Sequence, residues 1–197
     1  VIVAGGVGSR IRVDIPKQFI KLNGKEILSF SVSTFLDHSK VDEVIIVCHS
    51  KWIDHVTENY PNCKVVIGGN RRQDSSLMGV LAVSPQSKHV LVHDAARPFI
   101  SQSIITKCIE ALADSDGSAP VLNASNSLIN LENGIATFVD RSTIREVQTP
   151  QCFKKRTILK ALNDDLEGTD EIGMVLRTLP KSKLTFIVGD GGNFKIT

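Results

Sequence analysis

The most constraining feature of the sequence is an alternation of short apolar runs with helix-like segments through roughly the first 120 residues. Several runs are almost entirely apolar, which is typical of strands covered on both faces. The predicted strands are 1–4, 43–48, 64–67, 89–92 and 118–122, and the predicted helices are 28–36, 53–58, 75–83 and 101–113. This alternation predicts an α/β fold, with a Rossmann-like, mostly parallel sheet flanked by helices on both sides.

The pattern changes after the last of these strands. Asn133-Gly134 separates two strand-like runs, 128–132 and 135–139, and supplies the positive φ angles of a type I′ turn. We expect a protruding β-hairpin arm over about 124–143, either as a decoration of the sheet edge or as an arm that reaches a second subunit. A further strand is expected at 144–149, with helical segments from about 155 and 170.

No linker divides the sequence, so residues 1–197 are expected to form a single domain. Both termini look trimmed, because the sequence begins at Val1 and stops at Thr197 inside predicted strands.

Composition argues against several classes of function. The net charge of +2 is far below the basic excess of a nucleic-acid-binding protein. No apolar stretch approaches the roughly 20 residues needed to cross a bilayer, and no signal peptide is visible. The four cysteines form no Cys-x-x-Cys pair, so neither a zinc site nor a thiol redox motif is expected. We expect a protein of the reducing cytoplasm that binds neither nucleic acid nor membrane.

A glycine-rich loop, Ala4-Gly5-Gly6-Val7-Gly8-Ser9-Arg10, follows the first predicted strand. Glycines let backbone amides approach an anion closely. The loop lacks the Gly-Lys-Ser/Thr ending of a Walker A loop, and Ile11 stands where a dinucleotide fingerprint needs a small residue. Arg10 and Lys17 would place two cations beside the glycines, which suits a triphosphate and favours a nucleotidyltransferase loop. The alternative is a solvated basic loop beside a glycine turn.

Two further segments follow predicted strands, where ligands collect in open parallel sheets. In His93-Asp94-Ala95-Ala96-Arg97, Asp94 could hold a hydroxyl or a magnesium ion and Arg97 a phosphate, unless the two only form an ion pair that braces the loop. Residues 68–76 combine a glycine pair, arginines and serines at a predicted helix N-terminus, which suits an anion or is simply a capped turn. Weaker signals are Asp140-Arg141, Gln148–Gln151, Thr169 as a helix cap, and Lys195 in a terminal strand.

Taken in order, these segments resemble the 2-C-methyl-D-erythritol 4-phosphate cytidylyltransferase family and its relatives, the ribitol-5-phosphate cytidylyltransferases. The resemblance covers essentially the whole chain. Its seven motifs are Ala-Gly-Gly-x-Gly-x-Arg, Pro-Lys-Gln-Phe, Gly-Gly-x-x-Arg-x-x-Ser, His-Asp-Ala-Ala-Arg-Pro-Phe, Val-Asp-Arg, Gln-Thr-Pro-Gln and Phe-Lys-Ile-Thr.

The resemblance implies a nucleotidyltransferase-type fold and a role for each matching residue. The implied catalytic residues are Arg10, Lys17 and Lys195. The implied CTP contacts are Ala4, Gly5, Gly6, Gly8, Gly69, Asn70, Arg72, Ser75 and Ala95. The implied polyol-phosphate contacts are Asp94, Arg97, Arg141 and Thr169, with Lys195 reaching the α-phosphate from the acceptor side. A Mg²⁺ ion held mainly by phosphates, with Asp94 as the protein ligand, is expected by analogy with other phosphoryl transfers.

The resemblance also implies a homodimer, in which the arm crosses to a partner and Arg141 and Thr169 serve the neighbouring subunit's substrate. The sequence departs from the family pattern at Ile11, Asn70 and Asn126-Ser127. The alanine pair after Asp94, together with Asp140-Arg141, favours 2-C-methyl-D-erythritol 4-phosphate as acceptor over ribitol or ribulose 5-phosphate. A nicotinamide-dependent oxidoreductase and a non-catalytic nucleotide-binding module are the alternatives from other classes.

Overall fold

The computed structural model describes residues 1–6, 15–164 and 168–196. The strands in chain order are β1 (Ile2–Ala4), β2 (Lys21–Leu22), β3 (Lys25–Glu26), β4 (Ile45–Cys48), β5 (Lys64–Ile67), β6 (His89–Asp94), β7 (Gly117–Asn123), β8 (Leu128–Glu132), β9 (Ile135–Val139), β10 (Arg145–Val147), β11 (Gln151–Lys154) and β12 (Leu184–Val188). The helices are α1 (Ile27–Leu36), α2 (Ile53–Asn59), α3 (Arg72–Ala82), α4 (Gln102–Ala111), α5 (Lys155–Leu162) and α6 (Glu171–Thr178). Short 3₁₀ turns occupy Lys17–Phe19, Ser50–Trp52 and Arg141–Thr143.

Within the described residues, seven strands of an eight-stranded sheet have the order β10-β7-β11-β6-β1-β4-β5. The eighth strand, β12, also pairs with β7. β1 is parallel to β4 and β6, β4 is parallel to β5, and β12 is parallel to β7. β11 lies antiparallel between β6 and β7, and β10 is antiparallel to β7. The predicted mostly parallel sheet is confirmed, with an antiparallel insertion that the sequence did not reveal.

Apolar side chains cover both faces of the sheet. Along β4, Ile46 and Cys48 pack into a cluster with helices α1 and α4, whereas Ile45 and Val47 pack into a second cluster with α3, α5 and α6. Successive strand residues point to opposite faces, so a strand with no exposed residue requires helices on both sides. Each fully buried Ile or Val stabilises the fold by about 1.5–3 kcal/mol. This double layer holds the strand ends in fixed positions.

Three local predictions were wrong. Residues 193–196 were expected in a strand, but no strand is assigned there: they follow a turn, and the Ile196 N–H donates to the carbonyl oxygen of Ala96 at 2.9 Å. Thr169 was expected to cap a helix, but the N-cap of α6 is Asp170, whose Oδ1 accepts from the Gly173 N–H at 2.9 Å. Helix α3 begins at Arg72, three positions before the predicted 75, since the Asp74 carboxylate accepts from the Arg71 N–H and closes the first turn.

The hairpin β8–β9 forms a sheet of its own, and its strand ends agree with the prediction. Asn133 and Gly134 have φ angles of 51° and 80°, as a type I′ turn requires. Ile129 lies opposite Phe138 and Leu131 lies opposite Ala136, so all four side chains share one face. Ile129, Leu131 and Phe138 are exposed on this apolar hairpin face, and Phe138 is 82% accessible to solvent.

No helix in the described part of the chain is long and apolar enough to span a membrane.

Candidate active site

A cavity of about 240 Å³ lies where β1, β5 and β6 end. Its walls come from five separate segments that meet only in the folded chain. Gly5 and Gly6 follow β1, residues 69–75 follow β5, and Ala95 and Ala96 follow β6, as expected for ligand sites at the carboxyl ends of parallel strands. The lining consists of Val3, Ala4, Gly5, Gly6, Lys17, Gln18, Gly69, Asn70, Arg71, Arg72, Ser75, Asp94, Ala95, Ala96 and Lys195.

Most of the residues predicted from the sequence meet in this cavity. They are Ala4, Gly5, Gly6, Lys17, Gly69, Asn70, Arg72, Ser75, Asp94, Ala95 and Lys195. Gly8 and Arg10 lie outside the described residues. The other three predicted residues, Arg97, Arg141 and Thr169, do not line the cavity.

Asp94, at the end of β6, is the electrostatic centre of the cavity. Its Oδ1 accepts from Arg72 Nη2 at 3.1 Å and its Oδ2 accepts from Lys195 Nζ at 2.8 Å. Burial alone would raise the pKa of the Asp94 carboxyl, but the charges of Arg72 and Lys195 outweigh burial and hold that pKa well below its usual range. Asp94 is therefore an anion that orients two cations.

Arg72 is held from its other side by Glu171, the first residue of α6. Arg72 Nη1 and Nη2 donate to Glu171 Oε1 and Oε2 at 2.7 and 3.0 Å, which is a bidentate pair. Ser76 Oγ adds a hydrogen bond to Glu171 Oε1 at 2.6 Å. Glu171 is only 1% exposed. Glu171 was not predicted as a site residue, because an acid in the first turn of a helix is a signal shared by ordinary helix starts.

The segment that carries Lys195 is held against the cavity by contacts from Lys17 and Gln148. Lys17 Nζ donates to the carbonyl oxygen of Ile196 at 2.8 Å. Gln148 Nε2 donates to the carbonyl oxygens of Asp190 and Asn193 at 2.8 and 3.2 Å. Irregular backbone at residues 193–196 therefore replaces the predicted strand, because its hydrogen bonds go to site loops instead of a sheet.

Arg97 also contacts the segment that carries Lys195. Its Nη1 donates to the carbonyl oxygen of Asn193 at 2.7 Å, and its Nε lies 3.9 Å from Asp94 Oδ2. These contacts correspond to the bracing alternative recognised in the sequence. Phosphate binding by Arg97 stays a prediction.

His93 is fully buried directly behind Asp94. Its Nε2 lies 3.0 Å from the carbonyl oxygen of Arg97, and its Nδ1 lies 3.0 Å from Thr149 Oγ1. The Asp94 N–H donates to the same Thr149 oxygen at 3.1 Å. A proton on Nε2 satisfies every group in this chain, so the neutral ring is the form that fits. Burial lowers the pKa of His93 to about 4, in agreement with a neutral ring.

Gln18 was also missed as a site residue, although it belongs to one of the quoted motifs. It is 3% exposed, and its Nε2 donates to the carbonyl oxygens of Ala4 and Gly6 at 2.6 and 3.0 Å. It therefore joins the turn that carries Lys17 to the glycine-rich loop.

A larger cavity of about 310 Å³ lies at the opposite end of the sheet, around Val1, Phe35, Val44 and Leu91. None of the predicted site residues lines it. We place the site at the smaller cavity, because that is where the cations, the carboxylate and the glycine loop converge.

Residues 1–197 match the family described as 2-C-methyl-D-erythritol 4-phosphate cytidylyltransferase. The chain belongs to this family. It is therefore a member of a nucleotidyltransferase enzyme family, and the motifs that suggested the resemblance supply most of the cavity lining.

Individual members of the cytidylyltransferase family agree with this assignment. The 2-C-methyl-D-erythritol 4-phosphate cytidylyltransferase of Clostridium acetobutylicum is 36% identical over 210 residues, which covers 100% of this chain and 90% of that protein. The bifunctional ribulose 5-phosphate reductase/CDP-ribitol pyrophosphorylase Bcs1 of Haemophilus influenzae is 32% identical over 212 residues. That match covers 100% of this chain, but the chain spans only 45% of the length of the Haemophilus protein.

Solved structures of the cytidylyltransferase family share the fold. The 4-diphosphocytidyl-2C-methyl-D-erythritol synthase of Anaerococcus prevotii has a TM-score of 0.89 at 26% identity, covering 100% of this chain and 88% of that chain. The 2-C-methyl-D-erythritol 4-phosphate cytidylyltransferase of Thermus thermophilus has a TM-score of 0.82 at 27% identity, covering 100% and 92%.

Proposed function

We propose that this chain transfers CMP from CTP to 2-C-methyl-D-erythritol 4-phosphate, forming the CDP-polyol and pyrophosphate. The observation that carries the proposal is the meeting of Lys17, Lys195 and Arg72 with the glycine loop in one cavity. Lys17 and Lys195 beside backbone amides suit a triphosphate, Arg72 lines the nucleoside side of the cavity, and family membership supports cytidylyl transfer as the reaction.

In the proposed reaction, an oxygen of the acceptor phosphate attacks the α-phosphorus of CTP in line. The bond between the α-phosphorus and the oxygen that leads to the β-phosphorus breaks, and pyrophosphate leaves. The acceptor phosphate is already an anion near neutral pH, so the reaction needs no strong general base. Catalysis then comes mainly from positioning and from neutralising charge as it develops.

Each cation has a place in this reaction. Lys17 stabilises charge on the α-phosphate and the departing pyrophosphate, together with Arg10, which lies outside the described residues. Lys195 faces the cavity from the terminal segment, on the acceptor side. Ser75, Ala95 and the Gly69-Asn70 backbone hold the nucleoside, and Arg72 completes that wall.

The chemistry of the cavity fits a magnesium ion bound largely by phosphate oxygens and water. Asp94 is the only carboxylate that lines the cavity within the described residues, and no group of three His, Cys, Asp or Glu side chains there could hold a metal by itself. Mg²⁺ keeps several waters and needs only one or two carboxylates. Asp94 would be its protein ligand, and the ion would neutralise charge on the phosphates.

We propose that the active enzyme is a homodimer joined through the arm. The exposed apolar hairpin face of Ile129, Leu131, Ala136 and Phe138 supports this, since such a patch marks an interaction surface. Arg141 begins the turn at the base of the arm and donates from Nη1 to the carbonyl oxygen of Ser125 at 2.8 Å. Arg141 and Thr169 would reach the acceptor in the neighbouring subunit's cavity, whereas Asp94 and Arg97 serve their own.

A reducing, cytoplasmic setting is part of the proposal. It is supported by four free cysteines, three of which are buried.

The acceptor has a second candidate, ribitol or ribulose 5-phosphate. The observation that favours it is the 32% identity with the Haemophilus protein named CDP-ribitol pyrophosphorylase. The same chemistry serves both acceptors, so only a substrate comparison separates them.

The test measures the rate of pyrophosphate release from CTP in the presence of Mg²⁺ and compares 2-C-methyl-D-erythritol 4-phosphate with D-ribitol 5-phosphate as the acceptor. A clear preference for the first acceptor supports the proposal, and a preference for the second assigns the enzyme to CDP-ribitol synthesis. CTP binding without release of pyrophosphate in the presence of either acceptor contradicts the proposal and favours a non-catalytic nucleotide-binding module. NADH fluorescence on mixing is the corresponding check for the oxidoreductase alternative.

A further inference from the structure

Gln18 occupies an unusual place at the end of β1. Val3 directs its carbonyl oxygen towards β6, where it accepts from the Ala95 N–H at 3.2 Å. Successive residues of a strand point their carbonyls to opposite sides. The Ala4 carbonyl therefore points to the β4 side, and there its partner is Gln18 Nε2, at 2.6 Å. A side chain thus supplies the hydrogen bond that a neighbouring strand would otherwise donate.

This hydrogen bond determines the direction of the next amide. The C=O of one residue and the N–H of the next are antiparallel in a trans peptide. With the Ala4 carbonyl held by Gln18, the Gly5 N–H points to the β6 side, where Ala95 and Ala96 line the cavity. No acceptor among the described residues takes up that N–H. An anion bound in the cavity would lie on the side to which this N–H points.

The same side chain restrains a second peptide of the loop, because its Nε2 also donates to the Gly6 carbonyl oxygen at 3.0 Å. Both hydrogens of the amide are thus used by one loop. Glycine has the largest backbone entropy to lose, so an unrestrained loop of this composition would adopt many conformations. Gln18 holds the two peptides without filling the cavity in front of them.

The backbone that carries Gln18 is fixed by the packing of the next residue. The next residue, Phe19, is 4% exposed and its ring packs on Trp52 and His55, with centroid separations of 4.7 and 5.1 Å. The Phe19 N–H closes the 3₁₀ turn on the Pro16 carbonyl oxygen at 2.9 Å. A packed aromatic residue therefore fixes the backbone that carries Gln18.

From these contacts we propose that Gln18 is a positioning residue that preorganises the backbone of residues 4–6, so that the Gly5 N–H faces the triphosphate of the nucleotide. The inference rests on the proposed function and deepens it. It predicts that replacing Gln18 weakens the use of CTP and leaves the use of the acceptor unchanged.

Two substitutions of Gln18 by side chains of similar size, Gln18→Met and Gln18→Glu, test the role. Gln18→Met has no donor, and we expect kcat/KM for CTP to fall about tenfold to a hundredfold, the loss expected for two hydrogen bonds. The KM for the polyol phosphate should stay within about twofold. Gln86→Glu is the matched control, since Gln86 is an exposed amide whose Oε1 accepts from Ser84 Oγ, and it should behave as the wild type.

Gln18→Glu adds a readout that a purely structural role would not produce. An ionised carboxylate has no hydrogen to donate and repels the two carbonyl oxygens, whereas the protonated acid regains one donor. The deficit of Gln18→Glu relative to wild type should therefore shrink as the pH is lowered from 8 to 6. The deficit of Gln18→Met should stay constant over that range.

The outcomes separate this inference from the function on which it rests. Wild-type protein that neither binds CTP nor releases pyrophosphate would overturn the proposed function. Active wild type together with a folded Gln18→Met variant that keeps the wild-type kcat/KM for CTP would overturn the role of Gln18 alone. An equal rise in both KM values, or a pH-independent deficit in Gln18→Glu, would also overturn it. Thermal melting of each variant establishes that it is folded.

Discussion

Replacing the buried Glu171 by Gln should loosen Arg72 and destabilise the whole domain. The carboxylate is 1% exposed and accepts two hydrogen bonds from Arg72 and one from Ser76. Glutamine keeps the shape and one acceptor oxygen, but it removes the charge and directs its NH₂ group at the guanidinium. Arg72 would then keep Asp94 as its remaining anionic partner in the cavity.

The expected magnitude follows from these contacts. Breaking one side of a buried ion pair costs about 3–5 kcal/mol, because a charge is left without its partner. The Arg72 side chain is 26% exposed and retains Asp94, so we expect a smaller loss, about 2–4 kcal/mol of the free energy of unfolding. For a chain of this length that corresponds to a fall in melting temperature of roughly 5–15 °C.

Urea and thermal unfolding of wild type and Glu171→Gln near pH 7.5 measure this loss. Asp74→Asn is the matched control, because Asp74 pairs at 2.7 Å with Arg71, three positions earlier, both side chains are partly exposed, and Asn keeps the capping acceptor. The control should cost less than about 1 kcal/mol. A Glu171→Gln loss no larger than that of the control would refute the reasoning, and so would an unchanged KM for CTP at a temperature where the variant is folded.

Four further predictions concern other parts of the chain. Folding keeps His93 neutral with a pKa of about 4, below its unfolded value, so the unfolded state takes up more protons than the folded state as the pH is lowered. The free energy of unfolding should therefore fall by up to about 3 kcal/mol between pH 7 and pH 4. Urea unfolding measured across this pH range should show a flatter profile in His93→Asn than in wild type. Lys17→Ala should lower turnover about a hundredfold, and near-full kcat would remove Lys17 from the catalytic group. Arg141→Ala should chiefly raise the KM for the acceptor, and an unchanged acceptor saturation curve would exclude that contact. Phe138→Asp places a charge on the apolar hairpin face and should shift sedimentation from dimer to monomer; a sedimentation profile equal to that of wild type would contradict the arm interface.

The parts of the fold that follow local rules could be predicted from the sequence. Strand β5 and the hairpin strands lie where the apolar runs and the Asn-Gly turn placed them. Ser101, a residue type favoured at helix N-caps, caps α4, with Oγ accepting from the Ile104 N–H at 3.4 Å. Turn chemistry and side-chain period act over a few residues, so they can be recognised without knowing what the segment packs against.

Strand β11 illustrates why the antiparallel part of the sheet was missed. Its residues, Gln151–Lys154, form a short run with a polar side chain at each end, which carries no strand signal of its own. It becomes a strand because the free edges of β6 and β7 accept it from both sides. Pairing with neighbouring strands overrides a weak local preference.

The sequence by itself determined the α/β class, the hairpin and the ordered motifs that place the chain in its family. Only the tertiary structure decided which charges meet: Arg72 and Glu171 are 99 positions apart, Asp94 and Lys195 are 101 apart, and Lys17 and Ile196 are 179 apart. The physical reason is one of range. Periodicity and turn chemistry report only on residues within a few positions of each other, whereas these partners are brought together by burial of both faces of the sheet.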